Sequence, residues 1–262
     1  EICRNKEGMV SMSRSAFTQS RSKLSEQSFI RLNRAVLSHF HDHAPVKRDW
    51  KGYRPVAIDG GRLNLPNTKE LADVFGTHRN QMDTSTAAAR ISFAYDICNR
   101  LVLDASISHV STGEHDLADG HLAYLDPTVH LLVLDRGYPS IYLANKMADM
   151  GFRFCFRLST AWKEPFALLQ DEDDVIWHLP KGRRYKYRKR EYYLKDSVSL
   201  RIVRFALPSG QQEVLLTNIL DGLTIKELKD LYGMRWQVEE CYKRLKQIAH
   251  VEYFSGRTPL SI

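Results

Sequence analysis

Short apolar segments alternate with helical segments through the middle of the chain, and this alternation constrains the fold more than any other feature. Segments of continuous apolar character are typical of strands in a sheet that helices cover on both faces. The sequence therefore predicts an α/β fold. The predicted strands span residues 55–61, 89–97, 100–110, 130–135 and 152–158, and helices are predicted at 114–125 and 139–150.

Residues 224–250 are predicted to form one long helix. Thr224 and Glu227 have the spacing of a capping box, which marks a helix start. Apolar residues then recur at helical spacing, so one side of the helix can face a core. The residues of this stripe are Leu231, Met234, Val238, Cys241, Leu245 and Ile248.

Four polar residues of the same helix share a narrow arc beside the apolar stripe. They are Tyr232, Arg235, Glu239 and Lys246. At about 100° per residue, all four fall within roughly 60° of one another. A carboxylate at the edge of a core and beside two cations indicates a functional face. The alternative is a solvated face stabilised by side-chain pairs, and the helix alone does not distinguish the two.

Two aspartates end predicted strands and are the other candidate acids. Asp59 ends the first strand and Asp135 ends the strand at residues 130–135. Carboxylates at adjacent strand ends can converge at the carboxyl edge of a sheet, and such oxygen ligands suit Mg²⁺ or Mn²⁺. Each also has a local explanation, because Asp59 before two glycines can form a turn and Asp135 can cap the following helix. Similar settings hold for Asp96, Asp104 and Asp126.

Three consecutive polar residues, Glu114, His115 and Asp116, have the composition of a metal site. Acidic residues are common in the first turn of a helix, where they interact favourably with the helix dipole. We therefore interpret these residues as the start of the predicted helix at 114–125.

The combination of these residues resembles the signature of a known family. Tyr232, Arg235, Glu239 and Lys246 match the pattern Y-x2-R-x3-E-x6-K without a gap. The segments VAIDGGRLNLPNTKELADVFG, LLVLDRGYPS and GFRFCFRLST are similar to the same family. It is the family of bacterial insertion-sequence transposases of insertion-sequence family four, which carry a DDE catalytic domain. The resemblance covers roughly residues 12–257.

The resemblance implies a ribonuclease H-like mixed sheet flanked by helices, with a β-rich insertion before the last catalytic helix. Residues 1–50 are expected to form a helical N-terminal arm of short helices. Residues 51–158 form the first part of the catalytic core. The insertion spans 159–213, and residues 214–262 complete the core with a strand and the signature helix.

The resemblance also implies an activity and its catalytic residues. Asp59, Asp135 and Glu239 are the implied catalytic acids and the ligands of two Mg²⁺ or Mn²⁺ ions. Two-metal phosphodiester chemistry would cleave the transposon ends and transfer the cut strand into target DNA.

The implied DNA-binding residues come from the signature helix, the second aspartate segment and the insertion. They are Tyr232, Arg235, Lys246, Arg136, Trp162 and Trp177. In the family the signature residues grip the DNA backbone near the cleaved end. An aromatic residue of the insertion can hold a flipped base, although burial in the core of the insertion explains either tryptophan as well.

The charge of the chain favours a polyanionic partner. The net charge is +7, and residues 181–204 contain ten Lys or Arg, two acidic residues and interleaved tyrosines. Such a segment can follow a phosphate backbone, although a solvated hairpin has the same composition. The resemblance implies double-stranded DNA as this partner, both transposon ends and target, and a homodimer when the protein assembles on DNA.

The remaining composition favours a reducing compartment, and the resemblance implies a bacterial cytoplasmic protein associated with the nucleoid. The four cysteines are scattered and form no CxxC pair, which disfavours a zinc site or a disulfide framework. We find neither a signal peptide nor an apolar run near the ~20 residues that span a bilayer, so no membrane partner is expected. The chain lacks an initial methionine and ends soon after the predicted helix, so we expect a fragment of a longer protein.

Two other functions remain open from the sequence. One is a ribonuclease H-like nuclease that cuts DNA without strand transfer. The other is a DNA-binding remnant that has lost catalysis, although the intact set of three acids argues against it.

Overall fold

The structure is a computed structural model that describes residues 4–5, 8–9, 13–21, 23–44, 47–79, 84–170, 172–187 and 190–262. The strands are β1 (Arg4–Asn5), β2 (Gly8–Met9), β3 (Arg54–Asn64), β4 (Thr77–Arg79), β5 (Ser85–Asp96), β6 (Leu101–His109), β7 (His130–Leu134), β8 (Arg153–Arg157), β9 (Asp174–Leu179), β10 (Arg184–Tyr187), β11 (Arg190–Tyr193), β12 (Val198–Ala206) and β13 (Gln212–Thr217). The helices are α1 (Arg14–Arg21), α2 (Glu26–His43), α3 (Lys69–Phe75), α4 (Glu114–Leu122), α5 (Ile141–Asp149), α6 (Lys163–Leu169), α7 (Ile225–Met234) and α8 (Trp236–Gln247), with a 3₁₀ turn at Pro259–Ser261.

Five strands form the centre of the main sheet in the order β6-β5-β3-β7-β8. β3 pairs antiparallel with β5, and β5 pairs antiparallel with β6. β7 then lies parallel to β3, and β8 lies parallel to β7, with α4 and α5 as the crossovers. Three antiparallel strands followed by two parallel ones form the ribonuclease H-like arrangement, so the predicted fold class is confirmed.

The segment assigned to the insertion adds strands to the same sheet. β13, most of which lies in the completing part at 214–262, pairs antiparallel with β8, and β12 and β9 of the insertion segment extend the sheet from it. β10 and β11 form a separate two-stranded hairpin. The β-rich character of this segment is therefore observed, whereas the division of the chain into four parts stays a prediction.

Helices cover both faces of the central strands, as the continuous apolar segments predict. On β7, Leu132 and Leu134 pack in a core with α4 and α5. Leu131 and Val133 face the other way and pack in a second core with α7. Side chains alternate between the faces of a strand, so each buried face needs its own helical cover. On the same side as α7, Val238 of α8 packs over β3 and β5.

The first strand is longer than predicted, because Gly60 and Gly61 do not end it. β3 continues to Asn64, and β5 pairs with it along this length, with Gly60 opposite Ser92. A Cβ on Gly61 would lie 3.3 Å from the ring of Tyr242 in α8. The glycine therefore allows a helix to approach the strand closely, which is the alternative use of glycine inside a strand.

The prediction of one continuous helix at 224–250 is wrong at Arg235, where α7 ends and α8 begins. The N–H of Arg235 donates to the carbonyl of Tyr232, and its own carbonyl accepts from Val238, both at 3.0 Å. Such three-residue hydrogen bonds tighten a helix locally. Gly233 lies just before this turn and weakens the helix interior by roughly 1 kcal/mol relative to Ala. Ile248, assigned to the apolar stripe, follows the end of α8 and is exposed.

The capping box at Thr224 is present, since its hydroxyl accepts from the Glu227 N–H and the Glu227 carboxylate accepts from the Thr224 N–H. In the N-terminal arm, α2 has 18 residues and is longer than the short helices expected there. Ser25 occupies its N-cap without a side-chain capping bond. Among the described residues, none of the helices is both long and apolar enough to cross a membrane.

Candidate active site

The two aspartates lie next to each other where the parallel pairing of β3 and β7 ends. Ile58 and Leu134 form the last pair, and the next residues are Asp59 and Asp135. Ile58 and Leu134 both face α4 and α5. Because side chains alternate along a strand, both aspartates face the side that α7 and α8 cover. The structure thus brings the two acids to one edge and one face of the sheet.

The junction of α7 and α8 brings three signature residues to the same face. The Tyr232 hydroxyl donates to Oδ1 of Asp135 at 2.9 Å. The guanidinium of Arg235 donates to Oε1 of Glu239 at 2.5 Å, and Arg235 is 8% exposed. The turn at Arg235 therefore sets a buried cation, a tyrosine and the third acid beside the two aspartates.

Asp59 is in an environment that disfavours its ionised form. Burial raises the pKa of Asp59 to about 6. The Arg235 cation and the Gly60 N–H oppose this shift, whereas the charges of Glu239 and Asp135 add to it. Any additional positive charge nearby would therefore stabilise the ionised form of Asp59.

Asp135 has the opposite balance. Burial alone would raise the pKa of Asp135, but hydrogen bonds from the Arg136 N–H and the Tyr232 hydroxyl lower it. The cations Arg235 and Arg157 lower it further, so the net pKa is below its ordinary value. Asp135 is therefore held ionised and in a fixed orientation.

Two predicted DNA-binding cations lie outside this hydrogen-bonded group. Lys246 lies about two helical turns beyond Glu239 on α8. Its Nζ donates to the carbonyl of Arg62 at 2.8 Å and lies 3.2 Å from the carboxylate of Glu252. Arg136 directly follows Asp135 and is exposed.

The two tryptophans differ in what they present to solvent. Trp177 is 4% exposed, its indole N–H donates to Glu164, and the Arg183 guanidinium lies over its ring. As it stands, Trp177 has no free face for a base. Trp162 is half-buried and contacts Trp177 edge-on, with 6.4 Å between ring centroids.

A buried polar network below Asp59 was not found from the sequence. The Ser92 hydroxyl donates to the carbonyl of Asp59 at 3.1 Å, and Nε2 of His121 lies 2.9 Å from the same hydroxyl. Nδ1 of His121 lies 2.6 Å from the Asp104 carboxylate. The Tyr242 hydroxyl donates to the same Asp59 carbonyl at 2.8 Å. The histidine in the apolar part of α4 was the local signal for this network, which fixes the backbone that carries Asp59.

The carboxylate of Glu114 was also missed as a neighbour of the site. Glu114 begins α4, as its interpretation as a first-turn residue predicts, and its side chain also lies against Gly60 and Gly137. The glycines that follow each aspartate closely were the local signal for this contact.

The donor atoms of the site fit a hard divalent cation. In the part of the chain that the structure describes, no three His, Cys, Asp or Glu side chains are grouped closely enough to hold a metal ion together. Asp59, Asp135 and Glu239 nevertheless offer only carboxylate oxygens, which Mg²⁺ and Mn²⁺ prefer. In this structure the positive charge among them comes from Arg235.

Comparison with known proteins identifies a family of transposases. A family model described as the transposase DDE domain matches residues 50–262. Transposase InsG for insertion sequence element IS4 of Escherichia coli strain K12 is 24% identical over 241 residues, which cover 89% of this chain and 53% of that protein. The chain thus spans about half the length of this relative.

A solved structure is also similar. It is a piggyBac transposase synaptic complex with hairpin DNA, with a TM-score of 0.46 and 12% sequence identity. The match covers 79% of this chain and 42% of that chain.

Proposed function

The chain belongs to the transposase DDE domain family, and on this basis we propose that it is the catalytic part of a DNA transposase that cleaves transposon ends and joins them to target DNA. The observation that carries the proposal is the pairing of Ile58 with Leu134, because the acids that follow them become neighbours on one face. The similarity to an insertion-sequence transposase of Escherichia coli supports it.

We assign the three acids to the binding of two Mg²⁺ or Mn²⁺ ions. Such ions, when bound, polarise the scissile phosphate and activate the attacking water or 3′-hydroxyl. Asp135 is suited to this role because Tyr232 and the Arg136 N–H hold its carboxylate ionised. Glu239 must loosen its pair with Arg235 to bind a cation. Arg235 then becomes free to bind a DNA phosphate.

DNA recognition is assigned to cations around these acids. Arg235 lies among the acids, Arg136 is exposed beside Asp135, and Lys246 lies further along α8. Their arrangement along α8 and the strand edge fits contacts to successive phosphates of a strand that enters the site. Trp162, which is half-buried, remains the candidate for stacking on a base.

The proposal includes the partners and the location of the protein. The substrate is double-stranded DNA, first the transposon end and then the target. A homodimer assembled on DNA would hold two ends together. An enzyme of this kind in a bacterium acts in the cytoplasm, at the nucleoid.

The test is cleavage of a duplex that carries the ends of the element, by the full-length protein with Mg²⁺. Asp59→Asn should reduce cleavage to background while the protein stays folded, because the amide is a poorer ligand for a hard cation. Chelation of the metal should have the same effect, and Mn²⁺ should restore activity. Asp73→Asn, which changes an exposed acid on α3, is the matched control and should cleave normally.

A strand-transfer assay in the same reaction separates the alternatives. Joined products are expected, and their recovery excludes a nuclease that only cuts. Salt-sensitive DNA binding without metal-dependent cleavage would instead indicate a non-catalytic remnant. Unchanged cleavage by Asp59→Asn would refute the assignment of the acids.

A further inference from the structure

Two glycines next to the aspartates leave a space that Glu114 fills. Gly60 follows Asp59, and a Cβ on Gly60 would lie 3.3 Å from Cγ of Glu114. Gly137 lies two residues after Asp135, and a Cβ there would lie 3.1 Å from Oε2 of Glu114. The side chain of Glu114 therefore rests in a cradle formed by the backbone at the ends of two central strands.

Glu114 reaches this edge from the face opposite to the aspartates. Ile58 faces α4 and α5, and alternation along β3 turns Gly60 to that same face and Asp59 to the other. Pairing between β3 and β7 stops at Ile58 and Leu134, so β7 no longer flanks β3 beyond that point. A carboxylate from α4 and the aspartates below α8 thus lie at the same edge of the sheet, on its two faces.

A buried hydroxyl at this edge indicates that something completes the site. Tyr138 is 1% exposed, and a Cβ on Gly60 would lie 3.3 Å from its hydroxyl oxygen. Among the described residues, this hydroxyl has no hydrogen-bond partner. Burial, and then the charges of Asp59 and Glu114, raises the pKa of Tyr138, so the hydroxyl is close to both acids. A buried hydroxyl without a partner is costly, and a water ligand of a bound cation would donate a hydrogen bond to its oxygen.

Glu114 has the same local arrangement as the third acid. Its Oε1 lies 3.2 Å from a guanidinium nitrogen of Arg90, just as Glu239 pairs with Arg235. Arg90 also donates to the carbonyl of Val110, at 3.4 Å, which holds it in place without Glu114. Glu114 and Glu239 thus each form an ion pair with an arginine, and a divalent cation can take the place of that arginine.

We propose that Glu114 is a fourth carboxylate of the active site and contributes to divalent cation binding from the opposite face of the sheet. The proposal rests on the function proposed above and adds a residue to its cation site. On this proposal, the absence of side chains at Gly60 and Gly137 allows the Glu114 carboxylate to reach the edge of the sheet where Asp59 lies.

Calorimetric titration of the full-length protein with Mn²⁺ tests this proposal directly. The Mn²⁺ concentration that gives half-maximal DNA cleavage is measured in parallel. Glu114→Gln should weaken Mn²⁺ binding by about 10-fold or more and raise the half-maximal concentration to match. Saturating Mn²⁺ should recover much of the cleavage rate. Glu114→Asp, which keeps the charge, should bind Mn²⁺ more tightly than Glu114→Gln.

Three further variants separate cation binding from structural damage. Arg90→Gln removes the same ion pair from the other side and should bind Mn²⁺ at least as well as the unchanged protein. Gly137→Ala should weaken Mn²⁺ binding, because its Cβ displaces Glu114. Gly120 is in the same helix as Glu114, and a Cβ there would meet nothing within 4 Å among the residues that the structure describes, so Gly120→Ala should leave binding and cleavage unchanged.

The outcomes distinguish this inference from the proposed function. If Asp59→Asn loses cleavage but Glu114→Gln binds Mn²⁺ like the unchanged protein, the role of Glu114 is overturned and the transposase assignment stands. If Arg90→Gln and Glu114→Gln weaken Mn²⁺ binding equally, the ion pair is structural and the inference also fails. A protein that neither binds Mn²⁺ nor cleaves DNA overturns both.

Discussion

Asp59 and Asp135 are neighbours, yet their surroundings shift their pKa values in opposite directions. Burial raises the pKa of Asp59 to about 6. Asp135 is also partly buried, but hydrogen bonds and cations lower its pKa. At neutral pH and without a bound cation, the ionised Asp59 carboxylate therefore lowers the free energy of unfolding. The ionised Asp135 carboxylate raises it. Such opposed shifts are typical of functional sites.

The first prediction follows from the sign of the Asp59 shift. Its ionisation costs nothing below its ordinary pKa, and the cost grows as pH rises to about 6. Without divalent cations, Asp59→Asn should raise the free energy of unfolding at about pH 8, by up to about 3 kcal/mol. The increase should be small at about pH 4. Urea denaturation of the variant and the unchanged protein at several pH values measures the difference in the free energy of unfolding at each pH.

Asp135→Asn is the matched variant and should behave in the opposite way. The stabilisation from Asp135 is present above its ordinary pKa and is lost as pH falls through the lowered value. The variant should therefore lose about 1–3 kcal/mol near pH 8, because the Tyr232 hydroxyl and the Arg136 N–H lose a charged acceptor. Changes of the same sign in both variants would contradict the two pKa assignments.

At the scale of elements, the hairpin of β10 and β11 presents different residues on its two faces. Tyr187 stacks on Tyr142 of α5, with 4.4 Å between ring centroids, and Tyr185 stacks on Tyr192. Arg184 and Lys186 alternate with these tyrosines and are exposed. His115, beside Glu114, lies 5.7 Å from the ring of Tyr187. The hairpin is thus attached near the site by its aromatic face, and its cations point away from that attachment.

This arrangement predicts that the hairpin contributes non-specific DNA affinity. The double variant Arg184→Ala/Lys186→Ala should weaken DNA binding and lower the slope of log affinity against log salt by about one to two. The free energy of unfolding should change by less than about 0.5 kcal/mol. Fluorescence anisotropy at several salt concentrations measures the slope. Lys69→Ala, an exposed cation on α3, is the control, and an equal loss there would mean that only net charge matters.

Element positions were largely predictable because apolar segments and helix caps are local properties of the sequence. The strand at β7 and the helix start at Thr224 are examples. The role of Gly60 was not predictable, since a glycine ends a strand or admits a neighbour according to what packs against it. Glu114 was interpreted from its helix position alone for the same reason. The break at Arg235 was likewise not predictable, since Arg235 lies near the charges of Asp59 and Asp135, which are far from it in sequence.

At the scale of the whole molecule, the main sheet runs without interruption from the strands at the two aspartates, β3 and β7, into the segment assigned to the insertion. β8 pairs with β7 on one side and with β13 on the other. One hydrophobic core extends along the same face, from Ile58 through Phe156 and Leu216 to Trp177. A sheet and a core shared in this way couple the two parts energetically, so neither can lose its packing alone.

This continuity predicts that the two parts unfold in one transition. Tryptophan fluorescence, which includes the buried Trp177 of β9, should follow the same denaturant curve as far-ultraviolet circular dichroism of the whole chain. Leu216→Ala, at a fully buried position of β13, should destabilise the protein by about 2–5 kcal/mol and shift both curves together. Ile176→Ala, on the exposed side of β9, should shift neither by much. Fluorescence and circular dichroism curves that separate from each other would mean that residues 159–213 unfold independently of the core, and the extended sheet would then be a contact between two domains.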